Sequence, residues 1–471
     1  MFPIPHPARA ALAVLAAFAL AGCASTAIDD NIAAARADVH ARAGIDFAWL
    51  ASDAARAQAR DDVARTLARP LAADDAVRIT LSYDPALQAL LFERAAASAE
   101  ATQGARLPNP VFAFERLASG GAGGQVEQAR ALTLPLLDVL LLPARLRQAE
   151  ATQQALRLQL AGDVLRGAAA ARTDWIAAVA AAQSASYAQQ VHETAELAAD
   201  LARRLEASGS FSALQRAREE AFAGDTLAAL AQARRARRGA RETLVRALGL
   251  DSGQAAAMTL PERLPDLPAT APADDAALQA ALANRLDVRL AQARLDAIGR
   301  AQGLTRVTAV VDGLELGAER RTQTGQPGQH GVTLSVPLPL FDTGDAARAG
   351  AAATYQAALA RGGALAVEAA SQLRAAQADV RESHALALQL RDRLVPLRAT
   401  IVGENLLRYN GMLASVFDLL ADAREQARTV QLAISAQRDF WLADATLKAA
   451  AMGAPRSTDD LVAMNNPAEA K

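Results

Sequence analysis

The segment Gly331–Asp342, GVTLSVPLPLFD, decides how this chain folds. Gly331, Val332, Leu334 and Val336 alternate with Thr333, Ser335 and Pro337, the period of two that marks a strand with one apolar face. Upstream, VTAVVDGLELGAER is rich in β-branched residues and reads as the partner strand. The polar, Gly-rich TQTGQPGQ between them reads as an exposed hairpin loop. In the first half of the chain, PNPVFAFERLA and VEQARALTLPL flank SGGAGG in the same way. Each half therefore holds one hairpin, and the chain holds about four strands.

The parallel between the halves extends beyond the hairpins. Asp74-Asp75-Ala76 recurs as Asp274-Asp275-Ala276 at an offset of 200. Leu134-Pro135-Leu136, soon followed by Asp138, recurs as Val336-Pro337-Leu338, soon followed by Asp342, at 202. Leu214 with Ala217-Arg218-Glu219 recurs as Leu420 with Ala423-Arg424-Glu425 at 206. Three ordered matches at nearly one spacing indicate two copies of one unit. Each copy opens with a helical stretch, roughly Pro85 to Arg106 and Asp275 to Leu304, before its hairpin.

A long helical pattern follows each hairpin. Pro143 suits a first helical turn, and no proline intervenes from there to Ser208. About 66 residues at 1.5 Å each make a rod of roughly 100 Å. The second rod runs from Asp345 to about Arg408, with a kink expected at Pro396. The rods turn at EASGSFS and YNGMLAS, and shorter helices return. In the last helix Leu413, Leu420, Ala427, Ile434 and Trp441 recur every seven residues, with Val416, Ala423 and Val430 three residues after the first three, a left-handed coiled-coil seam. A return helix is too short to cover its rod, and the opening helix of the same copy, stacked end to end with it, supplies most of the deficit.

Composition agrees with this plan. Of the 471 residues 52% are apolar but only 4% aromatic, so much of the apolar content is alanine, which suits closely packed helices. Forty-nine basic and fifty-one acidic residues are interspersed, which argues against a nucleic-acid-binding surface. Past the N-terminus no apolar run approaches the length of a spanning helix, so any membrane crossing is made by β-structure. At the N-terminus, Arg9 precedes the apolar segment Ala10 to Leu20, as in a secretory signal. The segment ends in Leu20-Ala21-Gly22-Cys23, and Cys23 is the chain's one cysteine. An ordinary signal peptide with a chance cysteine is the plainer alternative.

Four strands cannot close a membrane barrel, and open edges are not tolerated in lipid. Closure then requires identical subunits, and either two chains with eight strands or three with twelve satisfy the arithmetic.

Leu20–Cys23, the duplicated plan, the PLPLFD stretch from Pro337 to Asp342, and the turn RYNGMLASVFDLLADAREQA from Arg408 together resemble the TolC-type outer-membrane efflux proteins in their lipidated branch. The resemblance covers about Asp74 to Gly453. It implies a mainly α fold, with long antiparallel coiled-coil helices forming a trimeric α-barrel across the periplasm. Two β-hairpins per chain then contribute to a 12-stranded transmembrane β-barrel. It implies a passive exit duct of a tripartite efflux pump, gated at its periplasmic tip. The implied partners are two further subunits of a homotrimer, a periplasmic adaptor (membrane fusion) protein, an inner-membrane efflux pump and outer-membrane lipid. On this plan residues 1–22 are a lipoprotein signal peptide and 23–73 a helical, surface-bound leader. Residues 74–260 and 261–453 are the two repeats, and 454–471 a tail.

LAGC resembles a lipobox, which implies cleavage before Cys23 and its acylation, and Ala24 in place of aspartate implies the outer membrane as destination. The resemblance makes Asp418 and Asp422 candidates for the periplasmic aperture, although Ala421 stands where the family's second aspartate is expected. Two acids at a helix start also favour its positive end without further function. Ser208, Gly209, Arg408 and Gly411 are the candidates for the tip turns and adaptor docking, with both glycines supplying backbone freedom. Trp175 and Trp441 read as packing anchors, and Val139–Pro143 as a rim or a barrel-to-helix joint. The five histidines form no metal-spacing cluster and no nucleophile motif or phosphate loop is present, so an enzyme reading has little support and no cofactor is expected. Type I secretion and a non-conducting coiled-coil scaffold are the alternative functions. A weak resemblance of the tip to a copper or heavy-metal resistance subgroup is unsupported by any Met or His cluster.

Overall fold

The computed structural model describes residues 24–120, 124–271, 281–282, 284–311 and 313–454. Cys23, the signal segment, Asp274–Ala276 and nearly all of the tail lie outside them. The chain forms two compact units, one of Met1–Asp38, Phe92–Leu160 and Asp287–Ala366, the other of Val39–Leu91, Ala161–Leu286 and Val367–Lys471. Each draws segments from both halves of the sequence.

The first unit is built on a sheet of β1 (Val111–Ala118), β2 (Val126–Pro135), β3 (Glu315–Gln323) and β4 (Gln329–Ser335), in that spatial order. Every neighbouring pair is antiparallel. The two expected hairpins are present, and β2 pairs with β3 to join them. Because side chains alternate along a strand, the register sorts residues by face. On one face Phe112, Leu132, Ala318 and Val332 align across all four strands, and beside them Leu134, Leu316 and Leu334. The other face carries Thr133, Gly317 and Thr333 in one row. Gly317 is needed there, since a Cβ would collide with the Thr333 hydroxyl.

Two boundaries differ from expectation. The segment Val307–Val311 is not strand: helix α8 (Leu286–Thr308) runs into it, Val310 and Val311 both donate to the Val307 carbonyl at 3.2 Å, and β3 starts only at Glu315. Helical continuity outweighed the β-branched composition. Helix α5 (Leu136–Ala207) follows β2 without a break, so Pro143 is its eighth residue and does not open it. Asp138 sits in the positive first turn and is paired with Arg145, which favours the earlier start.

The N-terminal leader is helical and packs through one face of its helices, with the rest exposed. In the first unit, Asn31 of α1 (Ala24–Ala43) donates to Ser98 Oγ of α4 (Pro85–Gly104) at 2.8 Å, and Ser98 Oγ donates to Gln153 of α5 at 2.7 Å. In the second unit, Val63 and Leu67 of α2 (Asp53–Leu67) and the following Leu71 are buried with Ile79 of α3 (Ala73–Tyr83), Trp175, Leu244 and Met258, which ends the short α7 (Ser252–Ala257). Trp175 Nε1 donates to the Leu71 carbonyl at 2.7 Å, and Trp441 Nε1 to that of Pro265 at 3.0 Å. Both tryptophans therefore anchor connecting segments against helices, with their one polar group satisfied.

The second rod is α9 (Asp345–Gln389), a π turn at Leu390–Leu394, then α10 (Val395–Asn410). Pro396 falls in the first turn of α10, where its missing N–H costs nothing. The π turn supplies the break that the proline demands.

The return helices α6 (Ala213–Leu248) and α11 (Val416–Met452) share their ends. Ser212 and Ser415, 203 residues apart, each form a capping box, and Gly249 and Gly453 each close the helix in the left-handed conformation. In that register Glu219 is equivalent to Asp422, so the Ala-Arg-Glu match at 206 is three residues out of step. Along α11 the seam residues Leu420 to Trp441 are half-buried or buried, while Leu413 lies before the helix and is exposed.

Candidate functional site at the helix turns

Both turns lie in the second unit, and they close in the same way. In the first, Ser210 N donates to Leu205 O and Gly209 N to Glu206 O, each at 2.8 Å. In the second, Leu413 N donates to Arg408 O at 2.8 Å and Met412 N to Tyr409 O at 2.9 Å. These nested bonds are a Schellman closure, whose penultimate residue must be left-handed. Gly209 fills that position with φ +79°, but its counterpart is Met412 at φ 58°. Gly411 has φ −82°, so the expectation that it supplies the turn's freedom is corrected. Arg408 contributes its carbonyl to the closure, and Ser208 Oγ donates to the Leu205 carbonyl at 2.9 Å. Met412→Gly relieves a left-handed side chain and is expected to stabilise the turn by about 0.5–1 kcal/mol, after the entropy glycine adds to the unfolded chain. Slower proteolysis at the turn and a higher melting temperature would register it.

Phe211 and Phe417 meet with ring centroids 4.7 Å apart, which brings the two turns together. Around this contact Leu407, Met412 and Leu413 leave apolar surface exposed. Asp418 is exposed and completes the α11 capping box: Ser415 Oγ accepts from Asp418 N at 3.2 Å, and the carboxylate accepts from Ser415 N at 3.1 Å and Ser415 Oγ at 2.7 Å. Hydrogen bonds from the Ser415 hydroxyl and then from its backbone hold the Asp418 carboxyl below the usual carboxylate range. A depressed folded-state value means that this cap is fully present above the ordinary carboxylate pKa and is lost as pH falls below it. Asp422 is engaged differently. It is half-buried and accepts from Asn405 Nδ2 of α10, tying the rod to its return helix.

Behind the turns, Glu219 of α6 is buried and receives Arg424 Nη2 of α11 at 2.5 Å. The same guanidinium lies 4.2 Å above the Phe222 ring centroid. These groups, with Tyr187 and Leu420, line a groove of about 270 Å³. Burial pushes the Tyr187 phenol up, so it stays neutral. The sequence offered Glu219 and Arg424 only as matching letters of a repeat. Their pairing depends on which faces of two helices meet, and no periodicity within either helix fixes that.

The arrangement suits holding helix ends together and presenting a small apolar and acidic surface. Among the described residues no group of three or more His, Cys, Asp or Glu side chains could hold a metal ion, and no helix is long and apolar enough to cross a membrane.

The chain has the fold of TolC-type outer-membrane channels. The outer membrane protein VceC of Vibrio cholerae superposes with a TM-score of 0.61 at 16% identity, over 85% of this chain and 97% of that one. The CmeC outer membrane channel of Campylobacter jejuni gives a TM-score of 0.68 at 12% identity, over 86% and 89%. The open-state MtrE outer membrane channel of Neisseria gonorrhoeae gives 0.57 at 19% identity, over 85% and 90%. No family model and no curated protein matches the sequence.

Proposed function

We propose that this chain is one subunit of a homotrimeric exit duct of the outer membrane, lipid-anchored at Cys23, that serves a periplasmic adaptor protein and an inner-membrane efflux pump. The observation that carries the reading is the sheet. Its edge strands β1 and β4 have no partner on their outer sides among the described residues, and one of its faces is an exposed apolar band including Phe112, Leu132, Val332 and Leu334. In lipid such edges must be closed, and three copies of a four-stranded sheet supply twelve strands. The long helices extend the conduit, and the pump supplies the energy, so the duct itself does no catalysis. At the turns, Asp418 from three subunits forms a ring of exposed carboxylates that favours cations. The exposed Leu407, Met412 and Leu413 beside it offer the adaptor an apolar docking surface.

Purified full-length protein placed in planar bilayers tests this reading. Trimers with cation-selective conductance are expected, with selectivity reduced in Asp418→Asn. A non-conducting protein would place the chain among envelope scaffolds.

A further inference from the structure

We infer that the apolar face of the sheet binds the phosphate groups of anionic outer-leaflet lipid through a row of arginines; the inference rests on the barrel reading above. The register aligns Phe114, Arg130, Arg320 and His330 in one row across β1 to β4, and Arg116 stands two residues further toward the hairpin loops on the same face. All three arginines are exposed, and none makes an ion pair among the described residues; Arg130 Nη2 reaches only Gln128 Oε1, at 3.4 Å.

Charge is sorted by face. The paired rows of the arginine face contain no carboxylate, whereas the opposite face carries Glu115, Glu127, Glu315 and Glu319. The one arginine on that opposite face, Arg321, is paired with Glu319 and lies 3.9 Å from Glu127. Solubility alone would not need arginines on the apolar side, and an arginine deep in hydrocarbon is strongly unfavourable. The basic row is therefore read by its position, one row beyond Phe112, Leu132, Ala318 and Val332, about 7 Å along the strands toward the hairpin loops. In the barrel this is the outer margin of the apolar band, where lipid headgroups begin. Guanidinium groups meet phosphate with paired, charge-assisted hydrogen bonds, and an unneutralised row of them is complementary to a phosphorylated headgroup.

The test uses full-length protein in phosphatidylcholine nanodiscs doped with bis-phosphorylated lipid A or with its dephosphorylated form. Lipid retained after detergent extraction is read by native mass spectrometry, and insertion is read separately as conductance in phosphatidylcholine bilayers. The parent is expected to retain the phosphorylated form selectively. Arg130→Gln/Arg320→Gln should lower that retention by about tenfold or more, since two cations near the surface are lost from the attraction to anionic lipid. Arg321→Gln, on the opposite face, should leave it unchanged, and excess inorganic phosphate should not displace the lipid. Insertion with equal retention of both lipid forms, equal retention by the double variant, or displacement by free phosphate would overturn the inference and leave the duct intact. Failure of the parent to insert would overturn the barrel reading, and this inference with it.

Discussion

Replacing Arg424 by alanine is expected to cost about 3 kcal/mol of stability, and replacing Glu219, its partner, only about half as much. The asymmetry follows from exposure. Glu219's side chain is 4% exposed, so without Arg424 it is left as an isolated charge out of water. Arg424's side chain is 31% exposed and keeps its seat over Phe222, so without Glu219 it is hydrated and still packed. Glu219→Ala/Arg424→Ala should therefore be nearer the milder single variant than the sum of the two. Thermal unfolding of the four proteins in one detergent gives the coupling directly. Arg424→Ala proving no more harmful than Glu219→Ala would contradict this account of the pair.

Gly344→Ala is expected to be worse still, with a loss of more than about 3 kcal/mol or failure to fold, because two penalties combine. Gly344 has φ +72°, and a Cβ there would overlap the backbone carbonyl of Ala309 and approach its Cβ to 2.6 Å. The turn has little freedom to adjust, since Gly344 N donates to Asp342 Oδ1 at 2.8 Å just before α9 begins. Gly325 is the control. It has φ +81° at a hairpin turn with nothing within 4 Å, so Gly325→Ala should incur only the conformational term, about 1 kcal/mol. Yield of folded protein and melting temperature separate the two.

What the sequence discloses here is whatever repeats along one element. Both hairpins, both rods, both turns and the seam of α11 follow from alternation, heptads and the placement of proline and glycine. Asp342 shows how a motif noticed as letters becomes part of a turn, while the steric requirement of that turn falls on Gly344, two residues beyond the motif. The sequence is silent where two distant elements decide the outcome. The pairing of β2 with β3, the burial of Leu67 and Leu71 beneath Trp175, and the Asn405–Asp422 tie all depend on tertiary neighbours. Local preference also misled twice. A β-branched run at Val307–Val311 was absorbed by a helix end, and Met412 took the left-handed place that composition would assign to Gly411. Of the aperture candidates, Asp418 has a visible helix-capping task and Asp422 a visible structural one.

The two open edges of the β1–β4 sheet also set a hazard in time. On the proposed duct reading, a newly exported chain that has folded its hairpins but met no partner displays unpaired strand backbone beside an exposed apolar face, which is the template for indiscriminate strand addition. Folding of the sheet and recruitment of the neighbouring chains cannot then be leisurely, separate events. Whatever escorts this chain after export must shield those edges until correct neighbours arrive, and overproduction beyond the escort's capacity should yield aggregates before it yields monomers.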